Sequence, residues 1–296
     1  MPLLGELAAL FTAVMWSITS IAFTEASVRV GSLTVNVTRL IIATFFLLIT
    51  VLVLGFKFDL TDSQFLYMAL SGIIGLVFGD GFLFKGFQYV GARISMLVMS
   101  LVPAFSALLA FFILGEIISF WGIVGILLTM SGVTLVVLQK NASKTFDPSF
   151  KIRGIIYCLL GALGQATGLI FAKFAFNEGS INGFVATLVR IVPAIIILYP
   201  IAYFSNKLGN PIKTYLSDKK AFKFTLLGSF VGPYLGITFS LIAIANTYVG
   251  IASTLMSTAP IIMLPLVKFY YKEKLSAIAI IGTFIAVAGI AILFVD

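Results

Sequence analysis

The chain has 296 residues, 60% of them apolar and 10% charged, with a formal net charge of +8. A water-soluble domain is nearer half apolar and a quarter charged, so this composition calls for the bilayer as solvent. With no histidine and a single cysteine, Cys158, the sequence excludes histidine-based catalysis, histidine metal sites and an intrachain disulfide.

Ten apolar stretches are each long enough to cross about 30 Å at about 1.5 Å per residue. The first covers 3–24; it holds a tryptophan, Trp16, in AVMWSITS beside Ser17 and Ser20. Its start, MPLLGELAAL, lacks a positive n-region and a cleavage pattern, and reads as a span, not a signal peptide. The next stretch, 33–55, carries Asn36 and Arg39. Stretch 64–88 carries Asp80 and Lys85, and 91–114 carries MSLVP with Met99, Ser100 and Pro103. After 119–139 comes a polar linker at 140–151 around Pro148. The second set runs 152–176 with Gln165, 181–204 with Arg190, 221–246 with Tyr234 and Asn246, 250–272 with MSTAP (Ser257, Pro260), and 275–295. Short turns make several neighbours antiparallel hairpins.

Residues 75–138 lie over 232–295 at a constant offset of 157. Gly75/Gly232, Gly79/Gly236, Met99/Met256, Ser100/Ser257, Pro103/Pro260, Glu116/Glu273, Ser119/Ser276, Gly125/Gly282 and Gly132/Gly289 coincide. Glycine, proline and glutamate do not align so often through apolar composition alone. The predicted fold is therefore an all-α membrane protein of ten transmembrane helices, built as two five-helix repeats at 1–139 and 152–296. Five is odd, so the second repeat enters the membrane upside down, about a pseudo-two-fold axis in the membrane plane. The Lys/Arg bias favours loops after the odd-numbered spans. By the positive-inside rule those loops are cytoplasmic and both termini face out. The same rule accounts for the +8 charge without nucleic acid.

Several residues are candidates for a solute path. Pro103 and Pro260 each remove a helix hydrogen bond, freeing the carbonyls of Met99 and Met256 near mid-span, with Ser100 and Ser257 one residue on. A paired hinge lining the path is one reading; a packing kink with a back-bonding serine is the other. Arg39 and Asp80 lie about 9 and 12 Å deep from the same side and match as an ion pair. Arg190, in LVRIV, is the repeat counterpart of Arg39 in VTRLI, but Ile237 stands where Asp80 would be. Unless Glu6 reaches it, Arg190 is an unbalanced cation suited to a carboxylate or phosphate. Trp16, Gln165, Tyr234 and Asn246 are candidate lining groups, with ordinary interhelix packing as the alternative. Lys85 and Lys173 are close enough to span ends to snorkel. Ser119 and Ser276 read as helix caps, with Glu116 and Glu273 at the positive ends of the following helices. The small-residue seams at Gly75–Gly79, Gly161–Gly168 and Gly228–Gly236 read as close helix packing.

These features together resemble the EamA-type ten-helix carriers of the drug/metabolite transporter superfamily. The resemblance rests on ALFTAVMWSITS around Trp16, GDGFLFKGFQYVGA at 79–92, SLVPAFSALLAFFILGE at 100–116, Gly125 and Gly132, and STAPIIMLPLVKFYYKE at 257–273. The second copy departs from the first in having Lys272 where the first has Gly115. The resemblance implies two inverted repeats, a cavity lined by spans 1–4 and 6–9 with 5 and 10 behind, and passage of amino acids, nucleotide sugars, drugs or other small metabolites. It also implies cytoplasmic termini, the reverse of the Lys/Arg count.

The expectation is a plasma-membrane secondary transporter of a small polar metabolite, an amino acid or related organic solute, working by alternating access. It is expected to be no enzyme, to use no cofactor or metal, and to act as a monomer or homodimer. A proton-coupled exporter of cationic drugs is the alternative, with Asp80 or Glu6 as the titrating group. FGDG at 78–81 also has the Gly-Asp of an intramembrane aspartyl protease, but no other span supplies the second aspartate.

Overall fold

The computed structural model describes residues 3–114, 119–138, 148–204, 210–246, 252, 255–272 and 275–293, and among these there is no strand. The first two helices are α1 (Leu4–Val30) and α2 (Ser32–Leu54). Gly31 separates them at φ 88°, a conformation in which a side chain would be strained. Helix α3 (Asp62–Gly72) starts at a capping box. The Thr61 hydroxyl accepts from the Gln64 N–H at 3.2 Å, and Gln64 Oε1 accepts from the Thr61 N–H at 3.0 Å.

A π-helical turn, Ile73–Gly79, joins α3 to α4 (Asp80–Met99). Inside α4, Gly91 takes φ 74° and ψ 175°, which breaks the helix there, next to the short turn expected between 88 and 91. Then follow α5 (Val102–Leu114), α6 (Phe120–Leu138), α7 (Pro148–Asn177) and α8 (Gly183–Phe204). The rest are α9 (Pro211–Ser217), α10 (Lys219–Ser229), a second π turn at Phe230–Gly236, α11 (Ile237–Asn246), α12 (Ala259–Tyr270) and α13 (Ala277–Leu293). Among the described residues, six stretches are long and apolar enough to cross a membrane, and four shorter apolar helices accompany them.

Three features depart from the sequence expectations. First, the stretches read as continuous helices at 64–88 and 221–246 each contain a π turn, and the two turns sit 157 residues apart. Second, Pro103 and Pro260 do not kink continuous helices. The helix stops at Met99 and restarts at Val102, so Pro103 is the second residue of α5, and Pro260 is the second residue of α12. A proline in the first turn removes an N–H that no helix carbonyl needed, so a break satisfies it better than a kink. Third, the polar gap at 205–220 contains α9. The Asn210 side chain accepts from the Lys213 N–H at 3.2 Å, and Pro211 opens the helix. Asparagine before proline is a start signal readable in the sequence. Of the expected linker, α7 already begins at Pro148, while 140–147 lies outside the described residues.

Glycine seams set the packing. On α7, Gly161 and Gly164 meet the Gly79 backbone, and Gly168 meets Ser71 and Gly75. On the other side, Gly228 and Gly232 receive the Phe23 ring, Gly232 also meets Thr19, and Gly236 receives Trp16 of α1. Helices α6 and α13 cross so closely that a Cβ on Gly132 would fall 2.4 Å from the Ala286 nitrogen, and one on Gly289 would fall 2.4 Å from the Thr129 nitrogen. The contact is reciprocal: Gly132 faces the Gly282 carbonyl and Gly289 faces the Gly125 carbonyl. A self-complementary contact of this kind is what a two-fold axis produces. Ser119 and Ser276 cap as expected, accepting from Gly122 at 3.0 Å and Ala279 at 3.1 Å. Glu116 and Glu273 lie outside the described residues.

Candidate functional site

The first π turn supplies the floor of the site. In it the Asp80 N–H reaches back five residues to the Gly75 carbonyl. A widened turn leaves carbonyls open to side chains from neighbouring helices. Gln165 Nε2 of α7 donates to the Gly75 carbonyl at 3.1 Å, and Asn36 Nδ2 of α2 donates to the Leu76 carbonyl at 3.3 Å.

Asp80 follows directly, so the turn aims its carboxylate at the same two helices. Arg39 Nη2 donates to one oxygen and Gln165 Nε2 to the other. Arg39 is held further by Nε donating to Asn36 Oδ1 at 2.9 Å, and its guanidinium lies over the Phe84 and Phe23 rings at 4.7 and 5.5 Å. Arg39 and Asp80 are 4% and 6% exposed. The predicted ion pair is thus present as a buried, hydrogen-bonded network, the form in which such a pair is tolerated away from water.

Arg190 of α8 is 2% exposed and approaches Gly75 beside Gln165. A Cβ on Gly75 would come 2.7 Å from its Nη2, so the glycine makes room for the guanidinium. Among the described residues, its Nε and Nη2 have no hydrogen-bond partner. The charges that act on it are Asp80, which attracts, and Arg39, which repels.

These groups border one cavity of about 130 Å³. Ten of the twelve residues singled out from the sequence line it: Trp16, Arg39, Asp80, Met99, Ser100, Pro103, Gln165, Arg190, Ser257 and Pro260. Two do not. The Tyr234 hydroxyl shares a 2.9 Å hydrogen bond with Thr50 Oγ1, and its ring packs with Phe46 and Phe230 at 5.6 and 5.2 Å. Asn246 is exposed and donates to the Ile242 carbonyl at 2.8 Å. Ser100 bonds back to the Leu97 carbonyl at 2.6 Å, the local bond anticipated for it. Lys85 rests over Phe82 and Tyr157, 5.3 Å from each ring.

Sequence reasoning missed the aromatic wall of Phe23, Phe84 and Phe87, and Thr19, Pro233 and Ser240. Phenylalanine is too common in this chain to be a signal. Pro233, inside the second π turn, was a visible one. The lining comes from both sequence halves and takes nothing from α6 or α13.

Many apolar helices around a buried, partly charged pocket define a multi-pass membrane protein of the transport class. The EamA-like transporter family model matches residues 3–138 and 152–295, and the chain belongs to that family. An uncharacterized transporter of Clostridium kluyveri is 27% identical over 152 residues, or 48% of this chain and 44% of that protein. The chain thus spans less than half the length of this curated relative. A crystal structure of a protein at 18% identity superposes with a TM-score of 0.72, covering 98% of this chain and 95% of the other; at that identity the likeness is one of fold alone.

Proposed function

We propose that the protein is a secondary transporter that carries a small polar organic solute, such as an amino acid or a relative, across the plasma membrane by alternating access. The observation that carries this reading is Arg190. It is a nearly fully buried cation at the cavity wall whose Nε and Nη2 have no partner among the described residues. A buried guanidinium left in that state is costly, and a carboxylate relieves the cost by a charge-assisted bond.

In this reading the chain forms two inverted five-helix repeats, 1–139 and 152–296, and the reciprocal α6–α13 contact is their shared axis. The solute sits between Trp16, Gln165 and the helix breaks at Met99–Ser100 and Ser257. Its anionic group lies on Arg190. The breaks before Pro103 and Pro260 act as the paired hinges. Arg39 and Asp80 brace the cavity and set its charge. The cationic-drug alternative is disfavoured because the cavity's carboxylate is bound at both oxygens, by Arg39 and by Gln165.

Reconstituted in liposomes, the protein should take up labelled organic anions or amino acids saturably, and Arg190→Ala should lower kcat/KM by about 10²-fold, the loss of one charge-assisted contact. Ile237→Asp places a carboxylate at the repeat counterpart of Asp80 and should disable uptake in the same way, by giving Arg190 an internal partner. Uptake that survives both substitutions removes Arg190 from the transport cycle.

A further inference from the structure

We propose that the solute is an apolar monoanion, a branched-chain or aromatic carboxylate with no ammonium group, and not an amino-acid zwitterion. This rests on the transport reading above and narrows it. The argument is a charge balance. Among the described residues, three ionisable side chains line the cavity, Arg39, Asp80 and Arg190, and charged they carry one net positive charge together. A monoanion brings the enclosed sum to zero. A zwitterion leaves it at plus one: its carboxylate takes Arg190, and its ammonium is left without a counter-charge.

The acceptors in the wall point the same way. An ammonium group buried without water needs a carboxylate or several open acceptors. Asp80 is the only carboxylate lining the cavity among the described residues, and its two oxygens are taken by Arg39 and Gln165. An aromatic cage could also hold an ammonium. Here Arg39 already occupies the Phe84 and Phe23 faces, at 4.7 and 5.5 Å. Besides the Trp16 ring and the hydroxyls of Thr19, Ser257 and the other lining serines, the rest of the wall is hydrocarbon and thioether, with Met96, Met99, Met256, Leu169 and Phe87. That wall fits an aliphatic or aromatic body, with a single anionic anchor at Arg190.

Matched pairs that differ only at the amine isolate this point. The full-length protein in detergent is titrated calorimetrically with phenylpyruvate against phenylalanine and with 4-methyl-2-oxopentanoate against leucine. Phenethylamine serves as the cationic control. The same solutes are then assayed for liposome uptake. The expected result is binding of each 2-oxo acid about tenfold or more tighter than its amino acid. Phenethylamine should not bind, and Arg190→Gln should lose the 2-oxo acid.

Equal or tighter binding of the amino acids overturns the monoanion assignment while leaving the transport reading intact. The wild-type ratio decides this even if Arg190→Gln fails to fold. Absence of both binding and uptake for every solute overturns the two together.

Discussion

At the scale of single residues, two arginines of similar sequence context have opposite fates. Arg39 is satisfied by Asp80, Asn36 and two aromatic faces, whereas Arg190 is left with open donors beside Gly75. Breaking the satisfied pair should be expensive. Asp80→Asn leaves Arg39 as an uncompensated buried charge, at a cost of about 3–5 kcal/mol. Its melting temperature in detergent should fall markedly, and adding Arg39→Met should recover part of the loss. A wild-type melting temperature for Asp80→Asn would mean the pair is hydrated or dispensable. Gly75→Ala tests the other arginine. The new methyl meets the mobile end of Arg190 at 2.7 Å, so the side chain shifts and the fold survives. Uptake should fall while the melting temperature stays within a few degrees. No change in uptake would mean that the position of the guanidinium is immaterial.

At the scale of the element, the helices are interrupted where the site needs backbone groups. The π turns and the breaks before Pro103 and Pro260 occur in matched positions of the two halves. Lipid offers no hydrogen bonds, so exposed carbonyls of this kind are tolerated only where protein or a cavity receives them. Gln165 and Asn36 receive two of them. Helix starts outside the apolar spans follow a different rule. Asp218 caps α10 by accepting from the Ala221 N–H at 2.9 Å and pairs with Arg29 of α1 at 3.2 Å. These contacts, the Ala221 N–H first, hold its carboxyl below the usual carboxylate range. A depressed carboxylate stabilises the fold at pH above its unfolded value of about 4 and loses that effect as pH falls through the folded value. The melting temperature of Asp218→Asn should therefore lie below wild type at neutral pH and converge with it in acid. A gap that persists unchanged below pH of about 3 would sink this assignment.

At the scale of the whole molecule, the α6–α13 crossing ties the two halves together without touching the cavity. Because the contact is reciprocal, equivalent substitutions should behave alike. Gly132→Ala and Gly289→Ala each push a methyl onto backbone that cannot swing aside, and each should destabilise by about 1–3 kcal/mol. Thermal unfolding of the two variants measures this, and a large difference between them would argue against a symmetric junction.

The same scale separates what was legible from what was not. The sequence by itself determined the helical membrane class, the break near Gly91, the serine caps and the doubling at an offset of 157. Those features follow from local chemistry: lipid demands long apolar helices, glycine and proline punctuate them, and duplication repeats the punctuation. The Arg39–Asp80 pair was also readable, because equal depth in a membrane brings charges to one level. Only the tertiary structure decided which polar groups face the cavity. Trp16 and Gln165 turn inward, but Tyr234 turns to Thr50 and Asn246 to the surface, although all four looked alike in the chain. A helix that is apolar on every side carries no stripe to mark its inner face, so rotation about its axis is set by packing against neighbours. The isolation of Arg190 has the same origin. Ile237 removed one acid from its repeat position, but only the structure shows Arg190 packed against Gly75 with its Nε and Nη2 lacking a partner among the described residues.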